Sequence, residues 1–129
     1  MARRSTLELS FEGSARVVGF NLARWESEFQ FAPGRRFRFD FAKPQIRLAI
    51  ELEGITPIDG RRKSRHQTFM GYSEDCSKYN LAAELGGIVL RYTQHHLHVD
   101  PAGVFDQIRL VMDRRAAEAV ELADGKHID

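Results

Sequence analysis

Two neighbouring segments near the middle of the chain alternate apolar and polar residues with a period of two. In residues 37–42 every second residue is phenylalanine, and in residues 46–53 isoleucine or leucine takes every second position. Side chains on a strand point to alternate faces. The pattern therefore predicts two strands joined by a turn at 43–45, with one continuously apolar face and a second face that carries Asp40, Glu51 and Glu53. Pairing across this turn would set Asp40 opposite residues 47–49, with Glu51 as a diagonal neighbour.

The remaining pattern predicts an α/β fold in a single domain, residues 1–129, whose 43% hydrophobic content suffices for a modest core. We expect a short strand at 6–11, a helix at 14–25, a strand at 28–31 and, after the acidic strands, a long loop at 54–71. A helix at 72–85 ends at Gly86-Gly87, a buried strand follows at 88–92, and a last helix begins at Asp100-Pro101. The expected order of the core is helix, three strands, helix, strand.

The three carboxylates of the predicted hairpin are candidate metal ligands. Carboxylates on one sheet surface repel one another unless a cation lies among them. Oxygen ligands on a rigid surface are those that Mg²⁺ or Mn²⁺ prefers, and a divalent ion held there polarises a phosphate and activates water for attack. We therefore expect metal binding at Asp40, Glu51 and Glu53. The alternative is a solvated acidic face in which each carboxylate pairs with an arginine.

Lys78 lies on the predicted helix at 72–85, in register with its apolar residues. Lys78, Leu81 and Leu85 follow the spacing of one helical face, and the two leucines should be buried. Lys78 is therefore expected to point towards the sheet, where a lysine either extends to solvent or meets an acidic partner. The alternative is an ion pair with Glu74 on the same helix, which stabilises by only tenths of a kcal/mol.

The formal net charge of the chain is +1, so the overall balance does not indicate a partner. The distribution is more informative, because basic residues surround the first hairpin and a second group occupies the loop after the acidic strand. An acidic centre with a basic rim suits a site that holds phosphate with arginine and lysine, although a charge run in a loop is also typical of a merely solvated segment. The first group is Arg35, Arg36, Arg38, Lys43 and Arg47, and the second is Arg61, Arg62, Lys63 and Arg65.

Cysteine and histidine usage narrows the chemistry further. A single cysteine, Cys76, allows no internal disulfide, which fits a reducing cytoplasm. No apolar run reaches transmembrane length, and the basic N-terminus lacks the apolar stretch of a signal peptide, so we expect a cytoplasmic protein without a membrane partner.

His95, His96 and His98 lie after the last strand with no cysteine or further acid nearby. A solvated loop is therefore favoured there over a zinc site.

Three stretches of the chain resemble the PD-(D/E)XK nuclease superfamily: FRFDFA, AIELEG and SEDCSKYNLAAELGGIVLRYT. The similarity spans about residues 28–93 and is closest to small endonucleases related to very-short-patch repair enzymes and their phage relatives. Residues 1–27 match poorly, and 100–129 form a C-terminal helix and tail. The resemblance implies a small mixed central sheet flanked by helices, Mg²⁺ or Mn²⁺ as cofactor, and a bacterial or phage-infected host.

The resemblance also implies roles for individual residues. Asp40 and Glu51 match the metal-binding acids of the family, whereas Glu53 stands where the family expects lysine and would serve as a ligand or general base. Lys78 resembles the lysine that related families carry on this helix in place of the strand lysine. His66 would assist proton transfer, as histidines do near the metal of the repair relatives, or it is simply an exposed loop residue.

The resemblance thus predicts a metal-dependent DNA endonuclease, for which structure-selective cutting in DNA repair or recombination is one option. A nuclease-like module that binds DNA or protein without cutting is the competing class, favoured by the missing strand lysine. An RNA-cleaving enzyme with the same metal site is a third option. The preferred nucleic-acid structure and the oligomeric state, a homodimer included, stay open.

Overall fold

The computed structural model describes residues 4–54 and 69–125, which form a four-stranded mixed sheet and four α-helices. A one-turn 3-10 helix, Pro44–Ile46, joins the second and third strands. The α/β class and the order helix, three strands, helix, strand are confirmed. In chain order the elements are α1 (Thr6–Val18), β1 (Glu26–Gln30), β2 (Arg38–Lys43), β3 (Leu48–Glu53), α2 (Phe69–Glu84), β4 (Ile88–Thr93), α3 (Gln94–Val99) and α4 (Pro101–Gly125).

The strands lie in the order β1-β2-β3-β4, with the first three antiparallel and β4 parallel to β3. A parallel pair needs a crossover, and α2 supplies it. The hairpin register pairs Phe41 with Ile50, so Asp40 comes opposite Glu51 rather than opposite residues 47–49. The predicted register was wrong because the connection is longer than a three-residue turn. It takes in Pro44–Ile46 and then Arg47, whose φ of 51° is in the left-handed region.

The alternation of faces along β2 breaks at Asp40. Phe41 packs against Phe11 of α1 with ring centroids 5.1 Å apart, whereas Phe39 belongs to a separate cluster with Ala82 of α2. The expectation of one apolar face that holds all the phenylalanines is therefore wrong. On the paired strand β1, Glu28 lies between the positions that pair with Phe39 and Phe41 and has a φ of 50°. The reversal of faces on β2 thus coincides with a backbone irregularity on β1.

The two faces of the sheet are covered unequally. On one face, α1, α3 and α4 enclose the main core, whose largest fully buried side chains are Phe11, Phe105, Leu48, Ile50 and Ile108. On the other face, α2 packs over a smaller cluster of Phe39, Ala42, Ala49 and Ala82. Both acidic strands run between these layers, which explains why every residue of β3 is buried.

Three expectations about elements were wrong. Residues 6–11 and 14–25 do not form a strand and then a helix, because one helix, α1, spans Thr6–Val18 and ends at Gly19. The loop predicted to reach residue 71 stops earlier, since α2 begins at Phe69. The histidine segment is the helix α3 rather than a loop. Among the described residues, no helix is both long and apolar enough to cross a lipid bilayer.

Candidate active site

Asp40 and Glu51 meet where the β2–β3 ladder ends. The Leu52 amide donates to Asp40 Oδ2 at 2.7 Å, and the Asp40 amide donates to Glu51 Oε1 at 3.3 Å. Side-chain carboxylates thus take the positions that backbone carbonyls would occupy in a continued ladder. Each carboxylate is fixed by a main-chain donor of the opposite strand, so the hairpin itself sets the geometry of the pair.

Lys78 reaches this pair from α2. Its ammonium group contacts Glu51 Oε2 and lies 4.7 Å from the centre of the Phe39 ring. The side chain is only 11% exposed, so this is a buried ion pair. The prediction that Lys78 faces the sheet and meets an acidic partner is confirmed in geometry.

The predicted cause of this orientation, a buried leucine face on α2, is wrong. The buried residues of α2 are Gly71, Asp75, Lys78 and Ala82, whereas Leu85 is 46% exposed. Small or charged residues therefore form the face of α2 that packs on the sheet. The leucine pattern gave the right direction for Lys78 because Ala82, one turn further along, shares its face.

A second group of carboxylates adjoins Asp40 on the side away from Lys78. One oxygen each of Glu8, Glu28 and Asp40 lies within 4.8 Å of the others. Glu8 projects from the first turn of α1, is 6% exposed, and pairs with Arg4 at 3.0 Å. Glu28 comes from β1 at the residue with positive φ. Acids from three separate elements, α1, β1 and β2, thus lie together at this point.

Glu8 is the acid that sequence reasoning missed. The expectation of a strand at 6–11 hid the helix that carries Glu8. The signal that favours a helix was present, because Ser5 and Glu8 have the S-x-x-E spacing of a helix start. In the structure Ser5 Oγ accepts the Glu8 amide at 3.0 Å. Glu26, at the start of β1, is exposed.

Burial and repulsion from neighbouring carboxylates raise the pKa of Asp40 and of Glu28. Burial, followed by the charge of Glu51 and a hydrogen bond with it, raises the pKa of Asp40 to about 7, against the lowering effect of the Leu52 amide. Burial and the charges of Glu8 and Asp40 also raise the pKa of Glu28. With a pKa of about 7, Asp40 is partly protonated near neutral pH, which indicates that the negative charge around it is incompletely compensated.

Glu53 has different partners. Its Oε1 accepts from the Tyr79 hydroxyl at 2.8 Å and from Arg91 Nε at 2.7 Å, and the Arg91 guanidinium lies 4.3 Å from the Tyr79 ring centre. Burial, and then the hydrogen bond to Glu53, raise the pKa of Tyr79 above its ordinary value. Glu53 therefore anchors the helix α2 to β4, and its role as a metal ligand or general base stays a prediction.

The histidines of α3 are exposed, and one of them has a structural role. Thr93 caps the helix by accepting the His96 amide, while His96 Nδ1 accepts the Thr93 amide at 3.0 Å. Among the described residues, the acids around Asp40 form the one group of three or more potential metal ligands. The predicted phosphate contacts Arg61, Arg62, Lys63 and Arg65, and the proton-transfer candidate His66, lie outside the described residues.

The donor set around Asp40 suits a hard divalent cation. All its ligand atoms are carboxylate oxygens, and the ion pairs that these acids make in the described part of the chain come from Arg4 and Lys78 alone. Asp40 is the residue common to both groups of acids, so an ion beside it would draw on Glu51 on one side or on Glu8 and Glu28 on the other. Mg²⁺ and Mn²⁺ have the oxygen preference that this arrangement offers.

Comparisons of the chain with protein-family models, curated proteins and solved structures found no match.

Proposed function

We propose that the protein is a metal-dependent DNA endonuclease with a PD-(D/E)XK core. The observation that carries the proposal is the contact that brings Lys78 of α2 onto Glu51, beside Asp40. Two acids on paired strands and a lysine from the following helix are the groups that the sequence resemblance implies for this chemistry. An antiparallel hairpin followed by a helical crossover to a parallel strand supplies the matching framework.

Asp40 and Glu51 would hold the Mg²⁺ or Mn²⁺ ion, with Glu8 and Glu28 as the nearest further ligands. A divalent ion bound there polarises the scissile phosphate and activates water for hydrolysis. The chain itself keeps the two acids aligned through the amides of Leu52 and Asp40. Lys78 places a buried positive charge at the same edge, where it would stabilise the negative charge that develops on the attacked phosphate.

The decisive experiment is an incubation with DNA in Mg²⁺, in Mn²⁺ and in EDTA, using branched, mismatched and linear substrates. We expect cleavage with either metal and none in EDTA. Asp40→Asn and Glu51→Gln should each reduce cleavage by roughly two orders of magnitude or more, as is usual when a positioned charge is lost. Asp106→Asn removes a carboxylate that is 74% exposed on α4 and is the matched control, which should cut normally.

Two outcomes would overturn the proposal. If no DNA is cut with either metal while DNA still binds, the protein is a nuclease-like binding module. If matched RNA is cut and DNA is not, the substrate assignment is wrong although the metal chemistry stands. Calorimetric titration with Mn²⁺ separates these outcomes from a missing metal site, because Asp40→Asn and Glu51→Gln should abolish metal binding independently of any substrate.

A further inference from the structure

The face of the sheet beneath α2 carries a groove that the proposed catalytic chemistry does not use. It has a volume of about 300 Å³, which lies at the lower end of the range for ligand pockets. Phe29, Phe31 and Phe39 form one wall, and the C-terminal end of α2 with Leu85 forms the other. Phe29 and Phe31 are half-buried, so their rings remain partly accessible.

The groove exists because this side of the sheet is built from small residues. Ala42 and Ala49 of the sheet and Ala82 of α2 line it and are buried. The opposite face has large buried side chains, such as Ile50, and it is closed by three helices. The alanines leave a slot of limited height between the phenylalanine wall and α2, and Leu85 stands 46% exposed at its rim.

The aromatic wall continues into the candidate active site. The rings of Phe31 and Phe39 are stacked at 4.5 Å with an angle of 22°, and Phe39 and Tyr79 are stacked at 6.4 Å with an angle of 26°. Lys78, which holds Glu51, lies over the same Phe39 ring. A flat group in the groove would therefore lie one aromatic ring away from the acids that we propose bind the metal.

The charged groups at the groove are cationic. Arg47 is the one charged residue that lines it in the described part of the chain, and it is held there by a hydrogen bond to the Leu85 carbonyl oxygen at 3.3 Å. Arg35 lies 5.1 Å from the centre of the Phe37 ring, which stacks in turn on Phe31. Both arginines belong to the basic group around the hairpin that the sequence singled out. An apolar, aromatic slot flanked by arginines matches a flat ring joined to negatively charged phosphates.

We propose that this groove binds an unpaired nucleobase of the DNA substrate, with the flanking phosphates on Arg47 and Arg35. The inference rests on the proposed endonuclease function and names its substrate class: DNA that carries an unpaired or extruded nucleotide. Aromatic side chains bind bases of any sequence by stacking, and an unpaired base enters such a slot without the cost of breaking a pair.

The test measures DNA binding in EDTA, so that no cleavage is needed. The probe is a DNA hairpin with one unpaired 2-aminopurine, compared with the same hairpin fully paired, by anisotropy and by 2-aminopurine fluorescence. Wild type should bind the unpaired probe more tightly and change its fluorescence. Phe31→Leu should weaken that binding roughly 5- to 100-fold, the usual loss when a stacking ring is removed, and should leave the paired hairpin almost unaffected.

A second variant guards against misfolding. Arg47 is exposed, so the Arg47→Gln variant should fold normally. It should bind the unpaired probe more weakly, and the salt dependence of this binding should fall by the amount that corresponds to about one phosphate contact. Arg109→Gln on α4 makes the same charge change away from the groove and should have no effect. Unchanged affinity in both Phe31→Leu and Arg47→Gln overturns the inference. So does a wild-type dimer in sedimentation that both variants convert to monomer, because a second copy would then occupy the groove.

Failure of this inference and failure of the proposed function look different. Metal-dependent cleavage that is lost in Asp40→Asn but is normal in Phe31→Leu, with unchanged binding, would leave the endonuclease and remove the groove from it. Selective binding of the unpaired probe without any cleavage would keep the groove and remove the enzyme.

Discussion

Replacing Asp40 with asparagine should stabilise the metal-free protein, and by an amount that depends on pH. The folded environment raises the pKa of Asp40 from an ordinary 3.8 to about 7. The folded protein therefore binds this proton more tightly than the unfolded chain does, and ionising Asp40 costs stability. The cost is absent below about pH 4, grows as the pH rises towards 7 and is complete above about pH 7. Each unit by which folding raises the pKa corresponds to about 1.36 kcal/mol, so the full cost in the free energy of unfolding is at most about 4 kcal/mol.

Asparagine is a close mimic of the protonated acid at this position. Its amide oxygen can still accept the Leu52 amide, and its NH₂ group can donate to Glu51 as the carboxylic acid proton would. The expected gain in the free energy of unfolding is thus a few kcal/mol at pH 8 in EDTA and close to zero at pH 4. The measurement is urea denaturation of both proteins at the two pH values.

Divalent metal should reverse the order of stability. Mg²⁺ or Mn²⁺ that binds only the folded protein stabilises wild type by an amount that grows with the ratio of the metal concentration to its dissociation constant, and a variant without the site gains nothing. Asp106→Asn, on the exposed surface of α4, is the control and should show neither effect. If Asp40→Asn is less stable than wild type at pH 8 in EDTA, the carboxylates are not in the repulsive arrangement described here and the argument for a cation among them fails.

Three further predictions concern the surroundings of the site. Lys78→Met should lower the free energy of unfolding by about 3–5 kcal/mol because it leaves Glu51 buried without its cation; the double variant with Glu51→Gln should recover most of this in urea melts, and strict additivity would contradict the pairing. Cleavage by Lys78→Met should fall by roughly two to three orders of magnitude. Tyr79→Phe removes one donor from Glu53 and should cost about 1–3 kcal/mol, whereas Tyr72→Phe at a 64% exposed position should melt like wild type. Neutralising Arg61, Arg62, Lys63 and Arg65 should weaken DNA binding for all sequences and flatten its salt dependence by up to about 0.9 log unit per lost contact; neutralising the exposed Arg24 and Arg114 should not, and equal slopes in the two sets would mean that the loop is only solvated.

The sequence predicted those parts of the site that local periodicity controls. The period of two located the strands that carry Asp40 and Glu51, and helical spacing turned Lys78 towards the sheet. The register of the hairpin was not predictable in the same way, because it depends on Arg47 adopting a left-handed conformation that is uncommon for a residue with a side chain. A connection longer by one residue shifts the register and changes which acids are opposite each other.

Local sequence patterns could not predict that α1, β1 and β2 bring three acids together at Asp40. Glu8 is 32 positions before Asp40 in the chain, and only the packing of α1 on the sheet brings the two together. The reversal of faces between Phe39 and Phe41 was hidden as well, because it coincides with a left-handed residue, Glu28, on the neighbouring strand. The aromatic groove follows from that reversal, because a regular strand would have turned Phe39 into the main core.

The two amides that bind carboxylates between β2 and β3 give the protein its own spectroscopic reporters. The Leu52 amide proton points at Asp40, and the Asp40 amide proton points at Glu51. Their NMR resonances will shift with the charge on these acids, whereas amides within the regular ladder keep carbonyl partners that never ionise. Two cross-peaks in the spectrum of the nitrogen-15-labelled protein would thus follow protonation and any metal binding at these acids residue by residue, without a substrate or a substitution.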